Sequence, residues 1–183
     1  ADGVVLLTRL LMPTVLKVAA VIGLLASVAL WAKADAPRGL FAHTGSGVVR
    51  DLQINGRSVG EGGMNAALAA WYGVPVVLVT GDDAPVAEVE EIVPAIRTVA
   101  VKRATNVRAV ELKPLPQARQ EIQQAAREAV SSAKKPQPQR TGPYRVQMRF
   151  RNFTFPEVLS AFKEIESTAP DTVAFTRETM PEA

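Results

Sequence analysis

Hydrophobic positions divide the chain into three unlike stretches. Val4 to Ala32 is almost continuously apolar, interrupted by Arg9, Pro13 and Lys17. Its cleanest run, Val18 to Ala32, is short for a membrane span, which takes about 20 apolar residues. That length suits a signal-peptide core, and Ala32-Lys33-Ala34 has the small-x-small form of a cleavage site. Adding Leu10 to Leu16 makes a span with Lys17 inside it. Residues 1–35 therefore read as a signal or anchor, as a buried element, or as an aberrant start.

After Gly39 the pattern becomes that of a globular α/β protein. Val48 to Ile54 alternates and meets Asn55-Gly56, a strong hairpin signal, with Arg57 to Val59 as the return strand. Met64 to Tyr72 has helical composition, with Met64, Leu68 and Trp71 or Tyr72 on one face and Gly73 as its stop. Val74 to Thr80 is a continuous apolar run of the kind a buried parallel strand shows. Gly81-Asp82-Asp83 follows, then an acidic helix over Val86 to Val93 and a strand over Thr98 to Lys102. This is a β-α-β unit of the doubly wound kind. Open sheets of that kind place ligands at the carboxyl ends of their strands.

Gln117 to Ala133 predicts a long helix with Ile122, Ala125, Ala126, Ala129 and Val130 as its apolar stripe. The Pro-rich segment 134–143 reads as a linker. Beyond it, Tyr144 to Phe150 and Thr172 to Thr176 read as strands flanking a helix over Phe155 to Ile165. The expected organisation is an apolar segment (1–35), a partial doubly wound α/β core (36–133), the linker, and a small, truncated α+β appendage (144–183).

Composition narrows the chemistry. A chain of 183 residues can bury one substantial core. With no cysteine, disulfides, zinc–thiolate sites and cysteine nucleophiles are excluded. The net charge of +3 is unevenly spread: between Lys102 and Arg151, Lys and Arg far outnumber Glu111, Glu121 and Glu128. Without interleaved aromatics, that stretch reads as a solvated helix face and linker rather than a nucleic-acid surface.

One stretch concentrates the candidate chemistry. His43 is the only histidine, and Glu61 sits in the glycine-flanked turn Val59-Gly60-Glu61-Gly62-Gly63, which opens a helix-like run. From the residues alone, Glu61 is either a functional carboxylate or an acid stabilising a helix N-terminus. His43 is likewise a functional group or a turn histidine. Asp82 and Asp83 are either close to a ligand or caps of the next helix, with capping and structural pairing the plainer reading, and Thr44 and Ser46 read as turn formers rather than nucleophiles. Asn65 is open between substrate contact and packing.

From about Ala36 onward the chain resembles the M55 family of zinc metallo-aminopeptidases. The resemblance rests on Phe41-Ala42-His43-Thr44, on the block from Ile54 to Asp83 and on Val99-Ala100-Val101-Lys102. It implies a D-aminopeptidase acting on short peptides or amides with an N-terminal D-residue. It also implies two zinc ions at the sheet edge, a homo-oligomer and a cytoplasmic setting, with Glu61 as a metal ligand and His43 as the catalytic histidine. The family pattern further implies an Asp-x-Glu pair and two more histidines upstream. Residues 1–35 contain none of these, and Trp31 stands where one of the histidines belongs. The expectation is therefore a peptidase domain short of its zinc ligands, truncated and inactive. The alternative is a non-catalytic remnant, anchored or secreted through residues 4–32, that works by binding or assembly.

Overall fold

The computed structural model describes residues 33–94, 96–133 and 141–183. The signal-or-anchor reading of residues 4–32, the position of Trp31 and most of the linker lie outside the described residues. Among the described residues, no helix is long and apolar enough to cross a membrane.

The first elements are β1 (Val49–Ile54) and β2 (Arg57–Ser58), an antiparallel hairpin. Asn55 and Gly56 at its tip both take positive φ, 51° and 79°. A two-residue turn that follows the twist of its strands demands that pair of conformations, and Asn-Gly supplies them at least cost. Helix α1 (Glu61–Trp71) starts three residues before the predicted Met64, because Gly60 takes the extended N-cap conformation. Its buried face is Gly62, Gly63, Ala66 and Ala69 rather than the predicted Met64–Leu68 stripe, and Tyr72 is exposed. Small residues win that face because α1 lies close against its neighbour: a Cβ on Gly63 would meet Ile92 Cδ1 at 2.6 Å.

The predicted β-α-β unit is present with shifted ends. It comprises β3 (Leu78–Asp82), α2 (Asp83–Ile92) and β4 (Arg97–Asn106), and β3 and β4 pair in parallel. The first strand begins at Leu78, not Val74, three residues after Pro75, which has no N–H to give a ladder. Strand β4 runs on past Lys102 and turns into an antiparallel strand, β5 (Ala109–Leu112), which the hydrophobic pattern does not show. Helix α3 (Leu115–Ser132) follows. Adjacent residues of β3 point to opposite faces. Val79 packs with Val86 and Val89 of α2, while Leu78 packs with Val99 and Ala129 of α3. Helices thus cover both sides of the sheet, as in a doubly wound fold. Val130 does not join the α3 stripe; it is 71% exposed.

The last segment holds β6 (Tyr144–Phe150), the short α4 (Thr154–Leu159), β7 (Glu166–Ala169) and β8 (Thr172–Arg177). Helix α4 ends well before the predicted Ile165, and β7, largely exposed, leaves no mark in the hydrophobic pattern. A second sheet runs β2-β1-β6-β8-β7, antiparallel throughout. Strand β6 pairs with β1 from Val49 to Ile54. Leu52, Val59 and Val146 form their own buried cluster. Strand pairing and packing therefore cross the boundary drawn at 134–143.

Candidate active site

His43 and Glu61 approach one another at the surface. Glu61 opens α1, so its carboxylate lies at the positive end of the helix dipole. Its Oε1 is 3.9 Å from His43 Nε2 and accepts a hydrogen bond from the Gly45 backbone N–H at 3.0 Å. The imidazole is oriented from its other side, where Nδ1 lies 2.8 Å from the Phe41 carbonyl oxygen. A carbonyl only accepts, so the proton of the neutral ring resides on Nδ1. Nε2 then faces the carboxylate as a second acceptor. The two groups cannot bond directly, but a proton, a water or a cation between them satisfies both. Both side chains are partly exposed, which leaves the pair within reach of a ligand.

The loop carrying His43 is irregular and is held by contacts to the rest of the fold. Phe41 takes φ 48°, and its N–H donates to the Val107 carbonyl at the β4–β5 turn. Asp35 pairs with Arg50 of β1 and with Arg151 just beyond β6, each at 2.8–2.9 Å. Thr44 is buried and accepts the Ala34 N–H through its hydroxyl, which makes it a structural residue, not a nucleophile.

At the carboxyl end of β3 sits Asp82, with no exposed surface. It caps α2 by accepting Ala84 N–H at 3.1 Å and grips the loop by accepting Leu40 N–H at 2.9 Å. Burial pushes its pKa above the ordinary carboxylate value, against the lowering effect of those two bonds and of Lys102. Asp83 accepts Ala104 N–H from β4. The capping role read from the sequence holds for Asp82, whereas Asp83, inside the first turn of α2, ties the helix to β4 instead. The use of Asp82 as an anchor for the loop does not follow from sequence, because Leu40 is far from it along the chain.

Sequence reasoning passed over Glu88. On α2 it reads as one more acid on a solvated face. In the fold it is half-buried and accepts the N–H groups of Gly60 and Lys33. No local signal in the sequence distinguishes it from Glu90 or Glu91. Asn65 lies half-buried on α1, four residues beyond Glu61.

The donor set falls short of a zinc centre. Zinc sites take three or more protein ligands. The chain has one histidine and no cysteine, and residues 1–32 add only Asp2 as a further acid. Among the described residues, no group of three or more His, Cys, Asp or Glu side chains converges on a point. His43 and Glu61 are brought together, but they do not fit a two-ion centre by themselves.

Comparison with known proteins bears on this geometry. The family model of M55 peptidases, described as D-aminopeptidase, matches residues 13–183. A D-aminopeptidase of Bacillus subtilis (strain 168) is 44% identical over 80 residues, covering 44% of this chain and 29% of that protein. Among solved structures, the Zn-dependent D-aminopeptidase DppA from Bacillus subtilis, described as a self-compartmentalizing protease, superposes with a TM-score of 0.76. Identity to it is 31%, over 81% of this chain and 55% of that one. The chain thus spans between about a third and about half of the length of the relatives it matches.

Proposed function

Since the chain belongs to the M55 D-aminopeptidase family, we propose that His43 and Glu61 are the part of a peptidase centre this chain carries. The family's substrate class is then the one to expect here: short peptides or amides with an N-terminal D-residue. The observation that carries the reading is the 3.9 Å approach of His43 Nε2 to Glu61 Oε1. It joins the single histidine to the carboxylate that opens α1, eighteen positions further along the chain.

In this reading Glu61 is the metal-ligand position. Its carboxylate is set by the helix dipole and by Gly45 N–H, which leaves Oε2 the freer oxygen for a cation. His43 handles a proton at Nε2, because Nδ1 is committed to Phe41. A histidine so held can take a proton from an attacking water, or donate one to the oxyanion or the departing amine. Zinc dependence is a property of the solved neighbour. Here the ligand set is too small to retain a zinc pair, so the chain on its own is inactive. Self-association, in keeping with the neighbour's compartment, belongs to the same proposal.

The test is zinc content together with hydrolysis of a D-alanyl amide by the purified chain. Less than one tightly held zinc per chain and background hydrolysis are expected. Two zinc ions per chain, with hydrolysis abolished by His43→Ala and by Glu61→Gln, would show that the donors suffice after all. Activity that survives both substitutions would remove the pair from the centre altogether.

A further inference from the structure

The segments that carry His43 and Glu61 meet on a third carboxylate. Glu88 Oε1 accepts the N–H of Gly60, the residue just before Glu61, at 2.6 Å. Glu88 Oε2 accepts the N–H of Lys33 at 3.1 Å, where the described part of the His43 loop begins. A carboxylate suits this place because it offers two acceptors and no donor. Its charge also strengthens both bonds. The contact is close: a Cβ on Gly60 would lie 2.7 Å from Glu88 Oε1 and 3.0 Å from Lys33 Cβ. The loop is therefore held twice, through Asp82 at the end of β3 to Leu40 and through Glu88 of α2 to Lys33. Only Glu88 also holds the start of α1.

We propose that Glu88 is a positioning residue that sets the approach of His43 to Glu61 by tying Lys33 and Gly60 to one point on α2. This rests on the reading of His43 and Glu61 as one site. An acid that merely satisfied two buried amides would stabilise the fold without affecting the pair, so the test must read the pair directly. The single histidine provides that readout, because the whole chain gives one imidazole ring signal.

The experiment is NMR of the full chain at one fixed pH, comparing Glu88→Gln, Gly60→Ala, Glu61→Gln and Glu90→Gln with the parent. Glu88→Gln is nearly isosteric, but its amide nitrogen cannot accept, so one of the two N–H groups loses its partner. Gly60→Ala displaces the carboxylate from the opposite side and leaves every charge in place. Gly60 sits at φ −93°, which alanine adopts without strain. Glu90, on the same helix as Glu88, accepts from the Thr98 hydroxyl of β4 and controls for loss of a charge on that helix.

Glu88→Gln and Gly60→Ala should each shift the His43 ring signals and the Gly45 amide. In Glu88→Gln, exchange of whichever amide loses its acceptor, Gly60 or Lys33, should become about tenfold faster, the loss expected for one charge-assisted bond. Glu90→Gln should move none of them. The proposal is overturned if exchange at Gly60 or Lys33 accelerates in Glu88→Gln while the His43 ring and Gly45 signals stay at the parent positions that Glu61→Gln shifts. A ring signal unmoved by Glu61→Gln would instead sink the pairing itself, and the clamp with it. If Glu88→Gln does not fold, Gly60→Ala decides on the same criteria.

Discussion

At the scale of single residues, the carboxylates around the loop respond to pH in opposite senses. Asp82 is held above its ordinary pKa, first by burial. Its native form therefore binds the proton more tightly than its unfolded form. By linkage, stability from this group is fully present below the unfolded value of 3.8 and is lost as pH rises through the higher folded value. Burial also pushes Asp35 upward, but the guanidiniums of Arg151 and Arg50 outweigh it and hold that carboxyl low. Its contribution is present above 3.8 and is lost as pH falls through the lowered folded value. Asp35 is well exposed, so solvent screens much of this effect. Urea unfolding of the parent and Asp82→Asn from pH 3 to pH 7 separates the two groups, because Asp35 titrates in both proteins. The stability advantage of the parent over Asp82→Asn should shrink as pH rises above 3.8. An advantage that grows with pH would mean that the bonds from Leu40 and Ala84 outweigh burial.

At the scale of elements, local chemistry was legible and neighbour-dependent packing was not. Asn55-Gly56 fixed its hairpin because the turn's φ values are a property of those two residues. Strand Tyr144–Phe150 was readable from alternation alone. The face of α1 was not, because large apolar residues normally mark a core and here Gly62, Gly63, Ala66 and Ala69 take it. Their burial depends on how near α2 comes, which no period within α1 records. Strands β5 and β7 escaped notice because each is four residues long and mostly exposed. The candidate site divides in the same way: His43 and Glu61 stand out by type and by their glycine setting, whereas Glu88 is defined only by two distant amides. The close approach of α1 is itself testable with Gly63→Ala. Helix propensity favours alanine by about 1 kcal/mol. Against that, the new methyl meets Ile92 Cδ1 at 2.6 Å and Val59 Cβ at 3.0 Å. Ile92 can yield at its flexible end, but Val59 Cβ is fixed to the backbone, and overpacking of this kind costs about 1–3 kcal/mol. A net loss of about 1 kcal/mol in chemical denaturation is expected, with part of it restored in Gly63→Ala/Ile92→Val. A stabilised Gly63→Ala would show that the helix has room to move away.

For the whole molecule, the question is whether residues 36–133 and 144–183 unfold as one body. Their pattern suggests a core and an appendage, since a Pro-rich segment divides them. Three features of the fold weigh the other way. Strand β6 fills the middle of a sheet whose other half, β1 and β2, comes from before the linker. Leu52 and Val59 bury against Val146. Trp71 at the end of α1 meets Tyr144 at the start of β6 edge-on, with ring centroids 6.0 Å apart. An exposed β1 edge, left unpaired, would also template aggregation. These contacts supply two independent optical probes. In a Trp31→Phe background, Trp71 fluorescence reports the junction between the two segments, while far-UV circular dichroism is dominated by α1, α2 and α3. If the segments form one cooperative unit, the two signals share a single midpoint and slope in urea. Val146→Ala should then lower both midpoints together, by the few kcal/mol typical of a buried aliphatic truncation, about 2–4. Fluorescence that changes well before the circular dichroism, with Val146→Ala moving only the earlier transition, would establish 144–183 as a separately unfolding appendage. The site bears on this outcome, because Arg151 beyond β6 pairs with Asp35 in the loop that leads to His43. A single transition would mean that the C-terminal segment helps hold the His43 loop in place, and that removing it would disorder the pair along with the sheet.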